Sequence, residues 1–191
     1  MKVYFHLSFD GFTNAYVVVN ENQNVKEAII IDPAKVTNDM INQIEDGGYT
    51  LKAILITHSH KQHVQGLKTL LKIYSTKIYA GDFEVNGVET EVLRGDGKIK
   101  IAGLDIDYYS VPGHSSDSMV FKIGNLMFTG DTISAGKISG TTNKYSEKLL
   151  KDKIKEKILS QTDDTILLPG HGPPTTVRSE KFFNLDIKYS T

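Results

Sequence analysis

Six histidines occur in 191 residues, and three of them fall within Thr57-His58-Ser59-His60-Lys61-Gln62-His63. Imidazole is the commonest protein ligand for zinc and also suits iron. Alternation lets His58 and His60 turn toward one ion, and it places His63 within reach of a second position beside the first. The other residues able to join this chemistry are scattered: His114 in Pro112-Gly113-His114-Ser115, Asp131 in Gly130-Asp131-Thr132, and His171 in Pro169-Gly170-His171-Gly172. The sixth histidine, His6, lies on the polar side of an alternating stretch and reads as a surface residue.

Each of these residues follows an apolar run short enough to be a buried strand. Leu51-Lys52-Ala53-Ile54-Leu55-Ile56 leads into the histidine stretch, 104–110 into His114, 126–129 into Asp131 and 165–168 into His171. Upstream, residues 1–10 alternate, and the pattern predicts a half-buried strand with Val3, Phe5, Leu7 and Phe9 inward. Tyr16 to Val19 and Ala28 to Ile31 predict two more strands, joined by the polar turn 20–24; Asp32-Pro33 ends the second of them. Thr37 is placed as the N-cap of a helix that stops at Gly47-Gly48. Further helices are predicted over 66–72 and 145–159, the latter from Leu150, Ile154 and Ile158 at four-residue spacing. Hairpins turn at Ala102-Gly103 and Gly124-Asn125; residues 81–93 carry no clear signal. Two blocks of strands, each interrupted by helices, predict two packed sheets with helices outside.

Composition limits the function classes. Lys and Arg number 22 against 23 Asp and Glu, so no basic excess argues for nucleic acid. The absence of cysteine excludes disulfides, thiolate ligands and a cysteine nucleophile. No stretch has the length of a membrane span or the apolar core of a signal peptide, which leads us to expect a soluble, cytoplasmic protein acting on a small molecule. Nothing in the sequence sets the oligomeric state.

In this order and spacing, the histidine stretch, Pro-Gly-His at 112–114, Phe-Thr-Gly-Asp-Thr at 128–132 and Pro-Gly-His-Gly at 169–172 resemble the metallo-β-lactamase fold superfamily. Within it the chain is similar to the glyoxalase II-like hydrolases, from the first strand to Pro173-Pro174-Thr175-Thr176. The resemblance implies an α/β fold, a four-layer αββα sandwich forming a single domain over residues 1–191, with the metal site at one edge. It implies His58, His60 and His114 as first-metal ligands, His63 and His171 as second-metal ligands, and Asp131 as the bridging carboxylate. Zinc is the expected divalent metal, with iron or manganese as alternatives. Such an ion acidifies bound water and polarises a carbonyl, so the implied activity is hydrolysis of a small thioester or ester. Two other readings stay open: a persulfide dioxygenase using one iron, and a degenerate member that binds metal without catalysis.

Two departures bear on that expectation. The family pattern is His-x-His-x-Asp-His, and Gln62 stands where it has aspartate. An amide keeps an acceptor oxygen, through which Gln62 could still ligate a metal weakly, but it carries no charge and is no base near neutral pH. With Asp131 and Gln62 as the candidate catalytic residues, one tight metal position and a second that is weak or empty are expected. Relatives also commonly follow Gly-Asp-Thr with a Gly-Arg-Thr-Asp-type loop, whereas this chain has Ile138-Ser139-Gly140-Thr141-Thr142-Asn143-Lys144. A glutathione thioester is therefore a poorer fit here. Lys137, Lys144 and Tyr145 are read as solvated helix-entry residues rather than an anion site.

Overall fold

The structure is a computed structural model that describes residues 1–22 and 24–187. Gln23, inside the predicted 20–24 turn, lies outside the described residues. Six strands form the first sheet: β1 (Lys2–Ser8), β2 (Thr13–Val19), β3 (Glu27–Ile31), β4 (Thr50–Leu55), β5 (Lys77–Ala80) and β6 (Glu91–Val92), side by side in that order. β1, β2 and β3 pair antiparallel, and β3 through β6 run parallel. The second sheet holds β7 (Gly97–Ile101), β8 (Leu104–Ser110), β9 (Met119–Ile123), β10 (Leu126–Gly130), β11 (Ile166–Pro169) and β12 (Thr175–Thr176), again in sequence order. Only β10 and β11 are parallel in it.

Three apolar layers explain why the sheets stack. Ile29, Ile31 and Leu55 of the first sheet meet Phe121 and Phe128 of the second. On the far face of the first sheet, Ile30 and Ile54 pack on Met40 and Ile44 of α1 (Asn38–Glu45) and on Leu67 and Leu70 of α3 (Leu67–Ile73), which follows the short α2 (Lys61–Val64). On the far face of the second sheet, Met127 and Leu167 pack on Leu150 and Ile154 of α4 (Lys144–Lys157) and on Val177 of α5 (Val177–Phe183). The result is the expected four-layer αββα sandwich. Central strands covered on both faces read as continuous apolar runs such as Ala28-Ile29-Ile30-Ile31.

Local predictions fare unevenly. Thr37 caps α1 through its hydroxyl, which accepts from the Met40 N–H at 3.2 Å. The 102–103 turn has both residues at positive φ, as a two-residue hairpin requires. The assignment of faces on β1 is reversed for part of its length: Phe5, Leu7 and Phe9 are exposed, while Tyr4 packs against the helix-side core and His6 meets Gln43 of α1 at 2.8 Å. The reason is position. β1 is the sheet's edge strand, and its inner face extends beyond the second sheet. Residues 81–93 contain a short hairpin, Glu84–Val85 with Val88–Glu89, and then β6. α5 was not anticipated, although Thr176 caps it by accepting from the Ser179 N–H at 3.1 Å. Among the described residues, no helix is long and apolar enough to cross a membrane.

Candidate metal centre

β4 delivers Thr57 and His58 just past its carboxyl end, and His60 then takes the N-cap position of α2 without a side-chain capping bond, its ring free to face the centre. His63 lies one helical turn on, its N–H bonded to the His60 carbonyl at 2.9 Å, so both face the same side. Gln62 is rotated by about 100° from His63 on that helix. Its exposed side chain lies against Gly11 of the β1–β2 loop, so closely that a Cβ there would fall 2.6 Å from Gln62 Cδ and Nε2. The loops after β8, β10 and β11 bring up His114, Asp131 and His171.

The ring nitrogens converge. His58 Nε2 lies 3.0 Å and His114 Nε2 3.1 Å from His60 Nδ1. Asp131 Oδ2 is 3.7 Å from both His58 Nε2 and His114 Nε2. Ligands about 2.0–2.1 Å from a tetrahedral zinc stand about 3.3 Å apart, so these spacings are close to those of a coordination shell. A second group shares Asp131: its Oδ1 is 3.4 Å from His63 Nε2, and its Oδ2 is 3.5 Å from His171 Nε2. Within each group the ligand-type atoms all lie within 4.8 Å of one another. Every charged or imidazole residue expected at the site is therefore brought together, and His6 stands elsewhere.

The donor set fits a cation. His63 Nε2 and Asp131 Oδ1 are buried without a hydrogen-bond partner, facing each other at 3.4 Å without bonding geometry. Buried polar atoms are rarely left so. Burial, then the neighbouring His63, pushes the His58 imidazole down to about 4 and keeps it neutral. Burial also acts to lower His63, but the facing Asp131 carboxylate, with the hydrogen bond and charge of Asp32, overcomes it and pushes the imidazole up to about 10. Burial works against ionising Asp131, yet His171 and His63 hold its carboxyl well below the usual carboxylate range. His171 is raised, first by Asp131. The pocket thus attracts positive charge at the paired His63 and Asp131.

The outward nitrogens are pinned. His63 Nδ1 donates to Asp32 Oδ2 at 3.0 Å, His114 Nδ1 to the Gly140 carbonyl at 2.8 Å, and His171 Nδ1 to the Phe12 carbonyl at 3.0 Å. The Thr57 hydroxyl donates to Asp32 Oδ2 at 2.6 Å, leaving its oxygen to accept from His58 Nδ1 at 3.1 Å. Asp32 therefore fixes two imidazoles, one directly and one through Thr57; such partners set ligand orientation and tautomer. Sequence reasoning used Asp32 only as a strand end. Its one visible signal was placement: like Asp131 and His171, it is a polar residue just past a buried strand. Asp117 was also missed; its Oδ2 accepts from the Ser59 N–H at 2.8 Å and ties the His114 loop to the histidine stretch.

Two glycines permit this close assembly. A Cβ on Gly130, whose φ is +49°, would overlap the Thr57 side chain. One on Gly170 would fall 2.5 Å from His63 Cε1 and 2.6 Å from Asp131 Oδ1. His58, His63 and Asp32 form the buried back of the centre, while exposed His60 and part-exposed His171 leave it open in front. Lys137, Lys144 and Tyr145 are exposed.

The family model described as the metallo-beta-lactamase superfamily matches residues 9–171. An uncharacterised protein of Treponema pallidum is 32% identical over 92% of this chain and 94% of its own length. A probable metallo-hydrolase of Bacillus subtilis is 28% identical over 88% of this chain and 89% of its own length. A hydroxyacylglutathione hydrolase of Chromohalobacter salexigens is 26% identical over 84% of this chain, but this chain spans only 63% of that enzyme's length. Among solved structures, the BLEG-1 B3 metallo-beta-lactamase superposes with a TM-score of 0.85 at 25% identity, covering 98% of this chain and 100% of that one. ETHE1 from Myxococcus xanthus gives 0.89 at 20% identity, covering 100% and 86%.

Proposed function

Since this chain belongs to the metallo-beta-lactamase superfamily, we propose that it is a metal-dependent hydrolase of a small thioester or ester. The observation that carries the reading is the convergence of His58, His60 and His114 on one point beside Asp131. Those four residues would hold a first divalent ion, and His63, Asp131 and His171 a second. Neutral imidazoles with one carboxylate suit zinc, with iron and manganese as alternatives. Bound there, a divalent metal supplies Lewis acidity, which acidifies water and polarises a carbonyl.

The chain's own residues prepare the centre for that chemistry. Asp32, Thr57, Gly140 and Phe12 take the outward N–H of four imidazoles, so the inward nitrogen of each ring is the one that would face a metal; on His63 that nitrogen would first release the proton that Asp131 and Asp32 hold there. Asp131 presents Oδ2 to the first group and to His171, and Oδ1 to His63. Asp131 is thereby within reach of both donor groups and would contribute a carboxylate to either ion. Buried His58 and His63 close the back, so a substrate carbonyl must approach past His60 and His171. Gln62 contributes no charge, so the second position is weak.

Elemental analysis of the purified protein, together with zinc-supported turnover of a thioester and ester panel, tests this reading. One to two zinc ions per chain, and hydrolysis abolished by His60→Ala, are expected. One iron per chain with oxygen uptake on a persulfide would replace hydrolysis with oxidation. No turnover with zinc, manganese or iron would leave metal binding alone.

A further inference from the structure

The three donors of the second group are not equally well anchored by their own segments. His63 sits in α2 and Asp131 directly follows β10, whereas His171 stands two residues past β11, between Gly170 and Gly172. Its side chain is 32% exposed. A donor on such a stretch serves a metal well when its backbone is fixed beforehand, because ordering it at the moment of binding costs free energy.

One side chain grips that stretch. Asn14 of β2, 1% exposed, donates from Nδ2 to the Pro169 carbonyl at 2.9 Å and to the Gly172 carbonyl at 2.8 Å. Its backbone N–H donates to the Gly170 carbonyl at 2.7 Å. The carbonyls that bracket His171 are thus held by a single residue of the other sheet. Two carbonyls at this distance demand two donors, and a primary amide offers both from one atom on a short stem. Two neighbours of Asn14 act on the same stretch. The Tyr16 hydroxyl donates to the Pro169 carbonyl at 2.7 Å, and the Phe12 carbonyl accepts from His171 Nδ1 at 3.0 Å. Backbone and ring are therefore both fixed from residues 12–16.

Resting on the two-position metal centre, we propose that Asn14 is a positioning residue for the second metal. It holds the 169–172 backbone so that His171 Nε2 stands beside Asp131 Oδ2, 3.5 Å away, before any ion arrives. The role is selective, because the three bonds of Asn14 end on the His171 loop, away from His58, His60 and His114. It also bears on Gln62: a second position that lacks a charge there relies more on donors already in place.

Two measurements on the whole protein test it. In the first, zinc is titrated against a competing chelator. Asn14→Ser keeps one donor, and Asn14→Asp sets an acceptor against two carbonyl oxygens. The second zinc step should weaken about tenfold in Asn14→Ser and toward about 100-fold in Asn14→Asp, the range for loss of an outer partner of a metal ligand, while the first step holds. Should Asn14→Asp fail to fold, Asn14→Ser carries the test. Tyr16→Phe is the control: it removes a bond between the same two sheets and should lower Tm with the second step little changed, since Asn14 still holds both sides of His171. An unchanged second step in folded Asn14→Ser overturns the proposal. So do both steps weakening together, or Tyr16→Phe matching Asn14→Ser, because Asn14 is then only a staple between sheets. In the second measurement, on metal-free protein, the His171 Cε1–H NMR signal should be one sharp line in the wild type and broadened or doubled in Asn14→Ser; an unaltered line overturns the proposal. If the wild type takes up one zinc only, the two-position reading fails, and the NMR line still decides whether Asn14 holds the ring in place.

Discussion

Asp32→Asn isolates the device that presents His63 to a cation. Asp32 is 2% exposed; its Oδ1 accepts from the Thr57 N–H at 2.8 Å, and its Oδ2 accepts from His63 Nδ1 at 3.0 Å and the Thr57 hydroxyl at 2.6 Å. Asparagine keeps the shape. If its oxygen stays on the Thr57 N–H, its amide nitrogen faces two former donors. His63 Nδ1 must then accept, which moves the ring proton to Nε2, the atom opposite Asp131. The lone pair meant for a metal is lost. Breaking such an outer hydrogen bond costs about 10–100-fold in metal affinity, or about 1.4–2.8 kcal/mol. His58, reached only through Thr57, should be affected less. Zinc titration against a competing chelator should therefore show the weaker step losing 10–100-fold while the tighter one moves by less. Circular dichroism of the variant checks that the fold survives. An unchanged second step in a folded variant would show that Asp32 does not control the His63 tautomer, and the reasoning would be wrong.

Gln62→Asp places a carboxylate on the residue beside His63, and should strengthen the second zinc step and raise turnover together when that side chain turns from Gly11 toward the centre, because a charge about 4 Å from an ion is worth about 1–4 kcal/mol between bulk water and a partly screened site; two equally tight steps in the wild type would refute this. Gly170→Ala pushes a methyl group between His63 and Asp131, and overpacking of this kind costs about 1–3 kcal/mol; zinc titration and Tm should show second-site loss with a lower melting point. The metal-free protein should be most stable near neutrality. Below about pH 6.5 the lowered His58 resists the proton that the unfolded chain accepts, for a loss approaching about 3 kcal/mol by pH 4, while Asp131, held low, adds its own loss at still lower pH. Above about 6.5 the raised His63 must lose a proton that it holds in the fold until about pH 10. Melting in a chelator across pH 4–10 should trace that dome, and saturating zinc should flatten its alkaline side; a metal-free Tm still rising from pH 7 to 10 would contradict the His63 assignment.

The sandwich was legible because its central strands are apolar on both faces and its helices carry periodic stripes; Ala28-Ile29-Ile30-Ile31 and Leu150, Ile154, Ile158 leave little choice. The site was legible for a chemical reason. Histidines are few in this chain, six in all, and the five other than His6 lie just past strand-length runs, as Asp131 does, so candidates could be named without coordinates. Strand faces at the margin were not legible. Alternation in β1 reports two distinct faces but not which one a neighbour covers, and the edge position of β1 decides that by leaving Phe5 and Leu7 beyond the second sheet.

The sequence alone determined the layers, the turn positions and the identity of the six convergent donors, because these depend on local periodicity and on residue chemistry. Only the tertiary structure decided which nitrogen of each imidazole faces inward. It also decided that Asp32 holds two of those rings, that Gln62 rests on Gly11, and that the Phe12 carbonyl holds His171. Those are contacts between segments up to 159 residues apart, and no local pattern encodes which distant carbonyl or carboxylate a given ring will meet.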